Sequence, residues 1–427
     1  MGAYVNARRR RVFAGGGRAG TVRCAGLDTH IIRSRFVGLL SLLWVGLRLG
    51  AQQAGSLDTN YIVMPGTDIA PGILAPISDG RLYIGGTFTN YGGTGRELMA
   101  RLQVDGRVDP GFVLPPLREI QEPVFLNVQL LVPGSTNTGR LGSILALPDG
   151  RPVIAGWFTH IGAEPAPAGM AILNLDGSPA VTSFDLEEVE VEALLAGPGE
   201  TFYAGGKGNL ASRRLPLLRF RFDGSRDAGF TTPTLLELDY GSANPFILCR
   251  GPGDTLHVVT AAAPRSGFTP LSDILRLTSS GALDTGFADG GKAKIPYASQ
   301  SSFVTDPAGR MSMIGVTTYR GATLPRKIHR LNIDGSVDAD YLPTADPGFG
   351  GRAVAVQSDG KLLFTSGTLP INRLNADGTV DTTYANPGKV PVAQNFLSLT
   401  RFAPTPEGGL FAAGFTFSPT FTLIPGV

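Results

Sequence analysis

The stretch "RLNIDGSVDADY", residues 330–341, has the look of a calcium loop, with Asn332, Asp334 and Asp338 spaced as oxygen ligands around Gly335. An EF-hand loop takes its ligands from positions 1, 3, 5, 7, 9 and 12, with glycine at 6 and a bidentate glutamate at 12. Setting Gly335 at position 6 puts Arg330 at position 1 and Tyr341 at position 12. A cation then replaces the first ligand and a phenol replaces the closing one. Three oxygens do not satisfy an ion that takes six to eight. The other reading is a turn. Asp-Gly between two apolar runs is the strongest short-range hairpin signal, and it predicts a type I′ turn with positive φ at both central residues.

A turn used as scaffolding should recur, and this one does. It returns as "RLQVDGRVDPGF" from Arg101, "RFRFDGSRDAGF" from Arg219, "RLTSSGALDTGF" from Arg276 and "RLNADGTVDTTY" from Arg373. A looser copy, "ILNLDGSPAVTSF" from Ile172, has one extra residue and lacks the second aspartate; "GSLDTNY" from Gly55 keeps only the second half. Each copy ends on an aromatic: Tyr61, Phe112, Phe184, Phe230, Phe287, Tyr341 or Tyr384. A second unit alternates with the first, clearest in "ISDGRLYIGGTF" from Ile77, "LPDGRPVIAGWF" from Leu147 and "QSDGKLLFTSGT" from Gln357. Its weaker copies begin at Ala196, Arg250, Asp306 and Thr405. Alternation such as Leu82 with Ile84, or Met311 with Met313, predicts half-buried strands.

Two hairpins per period make four strands, and the period of about 54 residues is close to kelch-type spacing. The expectation is an all-β, seven-bladed β-propeller of four-stranded antiparallel blades. The ends are complementary. The first copy, Ser56–Tyr61, is an outer strand without a partner before it, and the last unit ends at Thr420–Ile424 without an outer strand. Pairing the two would close the ring and remove two bare edges. The alternation of "RLNIDGSVDADY" and "RLNADGTVDTTY" with "SDGRLYIGGTF" resembles the delta-60 repeat β-propellers, over most of the chain from about residue 55. The resemblance implies a secreted or surface-exposed bacterial propeller and brings no catalytic residues with it.

The remainder of the chain reads as a leader, residues 1–51, ahead of one monomeric domain, residues 52–427. Arg33 and Arg35 precede the apolar run "FVGLLSLLWVGL", residues 36–47, and "LGA" follows at Leu49–Ala51. That order matches a secretory signal peptide. No apolar span in the mature chain is long enough for a transmembrane helix. Cys24 falls in the leader and leaves Cys249 alone, so no disulfide is expected within the mature chain. The leader also carries nine arginines and one aspartate; residues 52–427 keep 28 basic and 34 acidic residues, net −6. A negative domain without clustered Lys and Arg argues against nucleic acid as partner.

Chemistry-bearing motifs are sparse. "GGGRAG" at Gly15–Gly20 lacks a βαβ context, and "GFADGGKA" from Gly286 puts Ala293 where a P-loop needs Ser or Thr. His160, His257 and His329 are isolated and read as structural, and no His/Cys pair has zinc spacing. No cofactor and no metal are expected. "EEVEVEAL" places Glu190 and Glu192 on one side of a strand that would line the central channel, with Arg401 at a comparable place in the last unit. Two carboxylates there could hold a cation or act on a glycosidic bond. The second aspartates, Asp58, Asp109, Asp227, Asp284, Asp338 and Asp381, are spread over six units and read as hydrogen-bond acceptors within their own hairpins, with the repeat arginine as donor. Freedom to specialise lies in two inserted loops, Val113–Arg140 and the "THIGAEPAPAGM" segment that follows Trp157 and Phe158. The favoured function is a secreted binding or scaffolding module for a protein or glycan, without catalysis; the alternative is a polysaccharide-degrading enzyme with its site at the channel mouth. The exported protein is expected to begin near Gln52. Mass spectrometry of the extracellular form checks this, and an intact Met1 on that form overturns it.

Overall fold

The computed structural model describes residues 71–121, 124–126, 129–132, 135–186, 189–208, 217–231, 247–261, 271–296, 302–316, 318–324, 328–343, 345, 354–365, 371–384, 389–390, 396–405, 409–416 and 422–424. Chain contacts divide the protein into Met1–Gln52 and Gln53–Val427, and all of the described residues lie in the second unit. The leader and the Ser56–Tyr61 strand lie outside the described residues. Among these the fold is all β, apart from one 3-10 turn at Pro252–Asp254.

The repeat units fold into antiparallel sheets whose strands follow chain order. Three of these have four strands, for example Ile247–Arg250, Leu256–Ala261, Leu271–Leu277 and Lys292–Pro296. In three others the fourth strand shrinks to a single bridge: Leu102 with Val108, Phe220 with Arg226 and Leu331 with Val337. In the sheets that begin at Ile73 and at Ser302 the second and third strands are buried along their whole length: Leu82–Gly85, Met99–Leu102, Met311–Ile314 and Ile328–Leu331. This corrects the half-buried reading. Alternate residues do point to opposite faces, but each face meets another sheet. Leu82 and Ile84 pack with Ala403, Phe411 and Ala413 of the last sheet, whereas Tyr83 joins Ile154 and Ala171 of the next. Val153 and Ala155 likewise face Phe202 and Ala204. Each side chain of Leu, Ile or Val size so buried stabilises by about 1.5–3 kcal/mol.

The first strand of each sheet lies against the first strand of the following sheet. Ile73–Pro76 also lies against Phe396–Pro404, the first strand of the last sheet. A hydrogen bond from Arg401 Nε to Gly72 O, 2.8 Å, joins the same two places.

The Asp-Gly turns are not type I′. Only the glycine takes a positive φ, as at Gly80, Gly335 and Gly378; none of the preceding aspartates does. In the opening stretch Gly335 N donates to Asn332 O at 3.0 Å and Asn332 N to Ser336 O at 2.8 Å. That is a type I turn closed by a left-handed glycine in a bulge, the three-residue hairpin loop. The aspartate holds it differently from the expected way: Asp334 Oδ1 accepts from Ser336 N at 2.8 Å and from Ser336 Oγ at 2.7 Å. An aspartate that caps its own turn has no need of αL geometry.

Gly335 is constrained twice, by φ +81° and by the Phe287 ring, 2.9 Å from where a Cβ would stand. Gly360 shares the φ, yet the nearest atom to its Cβ position is Ala376 Cβ at 3.6 Å. A left-handed non-glycine residue costs roughly 1–2 kcal/mol. Gly360→Ala should lose about that much in denaturant unfolding, and Gly335→Ala clearly more. Equal losses would show that the ring contact carries no weight.

Candidate functional site

Near the innermost strands, the sheets share a built irregularity. In Val189–Ala196 the register slips between Val191 and Ala193; in Arg140–Ala146 it slips between Leu141 and Ser143; in Phe396–Pro404 between Leu399 and Arg401. Counted back from the turn, the extra residue is the same in each: Gly142, Glu192 and Thr400. Bulges re-aim the side chains beside them. In Val189–Ala196 the bulge falls at Glu192, one of the two carboxylates expected to share a side of the strand. Glu192 is half-buried, and the side chain of Glu190 lies outside the described residues. Arg401 reaches solvent yet has protein around most of its length, and this burial lowers its pKa from the ordinary guanidinium value. Accessible and crowded together describe a group in a concavity.

The two inserted loops, which the sequence presents as separate, pair with each other. Leu117–Gln121 of the first insertion pairs with Ser135–Thr138 and, on its other edge, with His160–Ile161 of the second, which pairs in turn with Glu164–Pro165. The result is an additional four-stranded sheet outside the repeat pattern. Thr159 ties the loops further: its amide donates to Arg118 O at 2.8 Å, and its Oγ1 accepts from Ile120 N at 2.9 Å and meets His160 Nδ1 at 3.0 Å. Phe158 is buried at the base of this sheet with Leu117 and Ile161. Trp157, one residue earlier, is 38% exposed. Of the two aromatics only Trp157 is exposed, while Phe158 anchors the platform.

The second aspartates do what their hairpins require. Arg101, Arg219, Arg276, Arg330 and Arg373 donate from Nε to Asp109, Asp227, Asp284, Asp338 and Asp381 at 2.6–2.9 Å. Each guanidinium also lies on the closing aromatic of its copy, from 5.2 Å for Arg101 over Phe112 to 4.1 Å for Arg373 over Tyr384. The part missed in the sequence is the third contact. Nη1 crosses to the next copy's Asp-Gly turn: Arg101 to Leu175 O and Arg219 to Ser279 O, both 2.5 Å, Arg276 to Ile333 O and Arg330 to Ala376 O. The available signal was the burial-prone arginine itself, since one carboxylate leaves most of its five donors unused. Asn332, Asp334 and Asp338 are thus committed to the turn and to Arg330.

Burial pushes the Asp338 carboxyl up, but the Arg330 hydrogen bond and charge and the Asp340 and Tyr341 amides outweigh it and hold the pKa below the usual range. Asp109 and Asp227 are lowered against the same opposing burial by the Gly111 and Gly229 amides and their arginines. His257 stands where Tyr83 and Tyr203 stand in other sheets, with a T-shaped contact of 5.3 Å to Phe287 that matches Tyr83 on Phe112 and Tyr203 on Phe230. Burial first, then Arg276, lowers its pKa to about 4.

Residues 77–112, one outer-and-inner hairpin pair, match a family described as "Domain of unknown function (DUF5122) beta-propeller". This match supports the β-propeller repeat reading. Similar solved structures include the WD40 domain of Neurospora crassa Pan2, at 9% identity over 83% of this chain and 88% of that one, with a TM-score of 0.45. Another is YCF48 bound to D1 peptide, at 13% identity over 88% and 99%, TM-score 0.44. A third is a putative gluconolactonase, at 14% over 74% and 93%, TM-score 0.37. No curated protein sequence matches.

Removing one partner of a buried ion pair costs about 3–5 kcal/mol, and both Arg330 and Asp338 side chains are at most 10% exposed. Arg330→Met should lose that order of stability, and the double variant Arg330→Met/Asp338→Leu should recover part of it. Acid acts in two steps of the same sign. The folded pKa of His257 lies below its unfolded value, so its contribution is intact above pH ~6.5 and lost as pH falls toward 4. The lowered aspartates act below about pH 4. His257→Tyr should flatten the upper step in thermal melts and leave the lower one; an unchanged profile between pH 6.5 and 4 would contradict this.

Proposed function

We propose that this chain is an exported β-propeller of seven four-stranded blades, closed by its two ends, that serves as a binding or scaffolding module for a protein or a glycan. The observation that carries the binding reading is the additional sheet. Two insertions from successive repeats, about twenty residues apart in sequence, fold together and set Trp157 at their junction. A repeat needs neither insertion to make its four strands, as the plain hairpins of the other copies demonstrate. Ordered elaboration on a rigid scaffold is where binding residues gather, and an exposed tryptophan suits a sugar face or an apolar side chain equally.

Closure is supported by the pairing of the first and last sheets. Their first strands are neighbours, Phe88 and Tyr91 share a core with Phe411 and Ala413, and Arg401 binds Gly72 O. Tyr319 supports the comparison, since it packs back on Val259 and Ile274 of the sheet before its own, as Tyr91 does on the last sheet. In this reading residues 52–427 form the mature domain, residues 1–51 direct its export, and the site of action is the cell surface or beyond. Among the described residues, no helix is long and apolar enough to cross a membrane.

Two measurements test these readings. A glycan and protein binding screen on the mature domain should find ligands whose binding Trp157→Ala abolishes and Glu192→Gln leaves intact. The reverse pattern, with hydrolysis of the bound glycan, would favour an enzyme at the channel mouth instead. Deleting residues 418–427 should destabilise the whole domain, because the last sheet loses its outer edge and the ring its seam. Deleting residues 1–51 should leave the melting temperature nearly unchanged. A C-terminal deletion that melts like the intact protein would end the closed-ring reading.

A further inference from the structure

The chain contains nine Asp-Gly pairs, and all nine are among the described residues. Such a pair carries a built-in reaction: the glycine amide nitrogen can attack the aspartate Cγ, because no glycine side chain obstructs the ring that forms. Eight of the pairs are hairpin turns of the kind described above. In each, the glycine amide donates to the carbonyl three residues back at 2.9–3.0 Å. The aspartate carboxylate accepts from the amide two residues ahead at 2.8–3.2 Å. Nucleophile and electrophile are both engaged elsewhere. The cap also holds Asp176, Asp223, Asp334 and Asp377 below the usual carboxylate range, first through the hydroxyl of the residue two ahead. The form that reacts is the uncharged acid, whose hydroxyl can leave.

Asp289–Gly290 shares none of this. It is not the repeat turn of its copy, since Ser280–Gly281 fills that place. It lies at the tip of the link between Phe287 and Lys292–Pro296, the fourth strand of its sheet. The hydrogen bonds of that link bypass the reacting atoms: Asp289 N donates to Lys292 O at 3.0 Å, and Gly291 N to Phe287 O at 2.7 Å. Among the described residues the Gly290 amide has no partner. The Asp289 carboxylate is held by Arg320 alone, whose Nε donates to Oδ2 at 2.8 Å and whose Nη2 donates to Oδ1. The two side chains are 39% and 61% exposed, where such pairs are weak. Gly290 is also the one exposed glycine among the nine, and no atom lies within 4 Å of where its Cβ would stand.

We propose that Asp289–Gly290 is a modification site, the one Asp-Gly bond of the folded protein that converts spontaneously to isoaspartate. Gly290 N bonds to Asp289 Cγ; the amide proton and the carboxyl hydroxyl leave as water, and a five-membered imide remains. Water then adds to one of the two imide carbonyls. Opening at the side-chain carbonyl restores the aspartyl bond. Opening at the main-chain carbonyl breaks the original peptide C–N bond and routes the chain through the side-chain carboxyl. The reactants are the chain and water, with no cofactor or oxidant. The product keeps the negative charge but adds a methylene to the main chain between Phe287 and Lys292–Pro296. Folding is the selector: it ties down eight pairs and leaves the ninth free to close. Two hydrogen bonds of ordinary net strength that must break before closure correspond to a rate difference of roughly tenfold or more.

The test incubates the full chain at neutral pH in water enriched in heavy oxygen and then digests it with trypsin in ordinary water. Each passage through the imide leaves one heavy oxygen behind, so fragment masses give the rate at each aspartate. Isoaspartyl and aspartyl forms of a peptide separate by retention time. In the folded protein Asp289, in the peptide 277–292, should take up label roughly tenfold faster or more than Asp334 or Asp377. In denaturant, where every pair is free, the nine rates should converge. Asp289→Glu should remove the label from the peptide 277–292, because the larger ring that glutamate would form closes far more slowly. Equal rates in the folded protein, label at Asp284 instead of Asp289, or an equal lead of Asp289 in denaturant would each overturn the proposal.

Discussion

A guanidinium that is almost completely buried must find partners for its donors or lose several kcal/mol of hydration without return. In this chain that requirement organises the molecule. Arg330 is held by Asp338 from its own hairpin, covers the Tyr341 ring 4.3 Å away, and reaches into the next copy's turn at Ala376 O. The first two contacts are local and could form in an isolated hairpin. The third can form only when the neighbouring sheet is present and in register. Apolar packing between sheets is non-directional and would tolerate sliding; a planar donor aimed at one carbonyl does not. The apolar cores supply the burial, and the arginines determine where each sheet stops relative to the next.

The same contact explains residues that otherwise look like turn preference alone. Glycine after the turn aspartate satisfies a positive φ, which asparagine could also tolerate, but Gly335 and Gly378 lie on the preceding copy's aromatic ring, where no Cβ fits without displacement. The aspartate, the glycine, the second aspartate and the final aromatic are therefore a single unit read across two sheets. The Ile172 copy has lost both the arginine and the second aspartate, and its sheet is the one joined to the inserted strands. It still receives Arg101 at Leu175 O and the Val113 amide at Asp176 O. A sheet that no longer sends an arginine forward is still fixed from behind.

Sequence alone disclosed whatever was periodic and local. Repeats, strand order within a hairpin, and the Arg–Asp pairs eight residues apart could all be read, because each depends on spacing along one chain segment. Two things could not. The type I′ expectation failed because Asp-Gly is compatible with two hairpin turns, and the aspartate's cap on the residue two ahead decides between them only in three dimensions. The half-buried expectation for Leu82–Gly85 failed because Tyr83 is as buried as its neighbours, and alternation cannot reveal that both faces of a strand are covered. At the candidate site, Trp157 and the two insertions were visible as departures from the repeat. Their pairing was not, since Leu117–Gln121 and His160–Ile161 share no pattern that would identify them as partners.

The division between rigid and variable parts follows from where the arginine contact acts. It joins the outer turns of successive sheets and leaves the loops between second and third strands outside the contact. Those loops keep a common anchor: Ile161 and Tyr319 are buried against the preceding sheet or its insertion, and Tyr91 against the last sheet. Beyond that anchor their lengths and partners differ. Tyr319 OH bonds to Gly335 O at 2.6 Å, and its loop remains a two-stranded hairpin. The Ile161 loop instead captures an inserted strand and becomes a sheet. A point fixed by packing, followed by a length that no repeat contact restrains, can vary in one copy without disturbing the others. Trp157 lies at the start of the only such loop that, among the described residues, pairs with an insertion from another repeat. The surroundings of Trp157 can therefore change while the arginines continue to hold the frame.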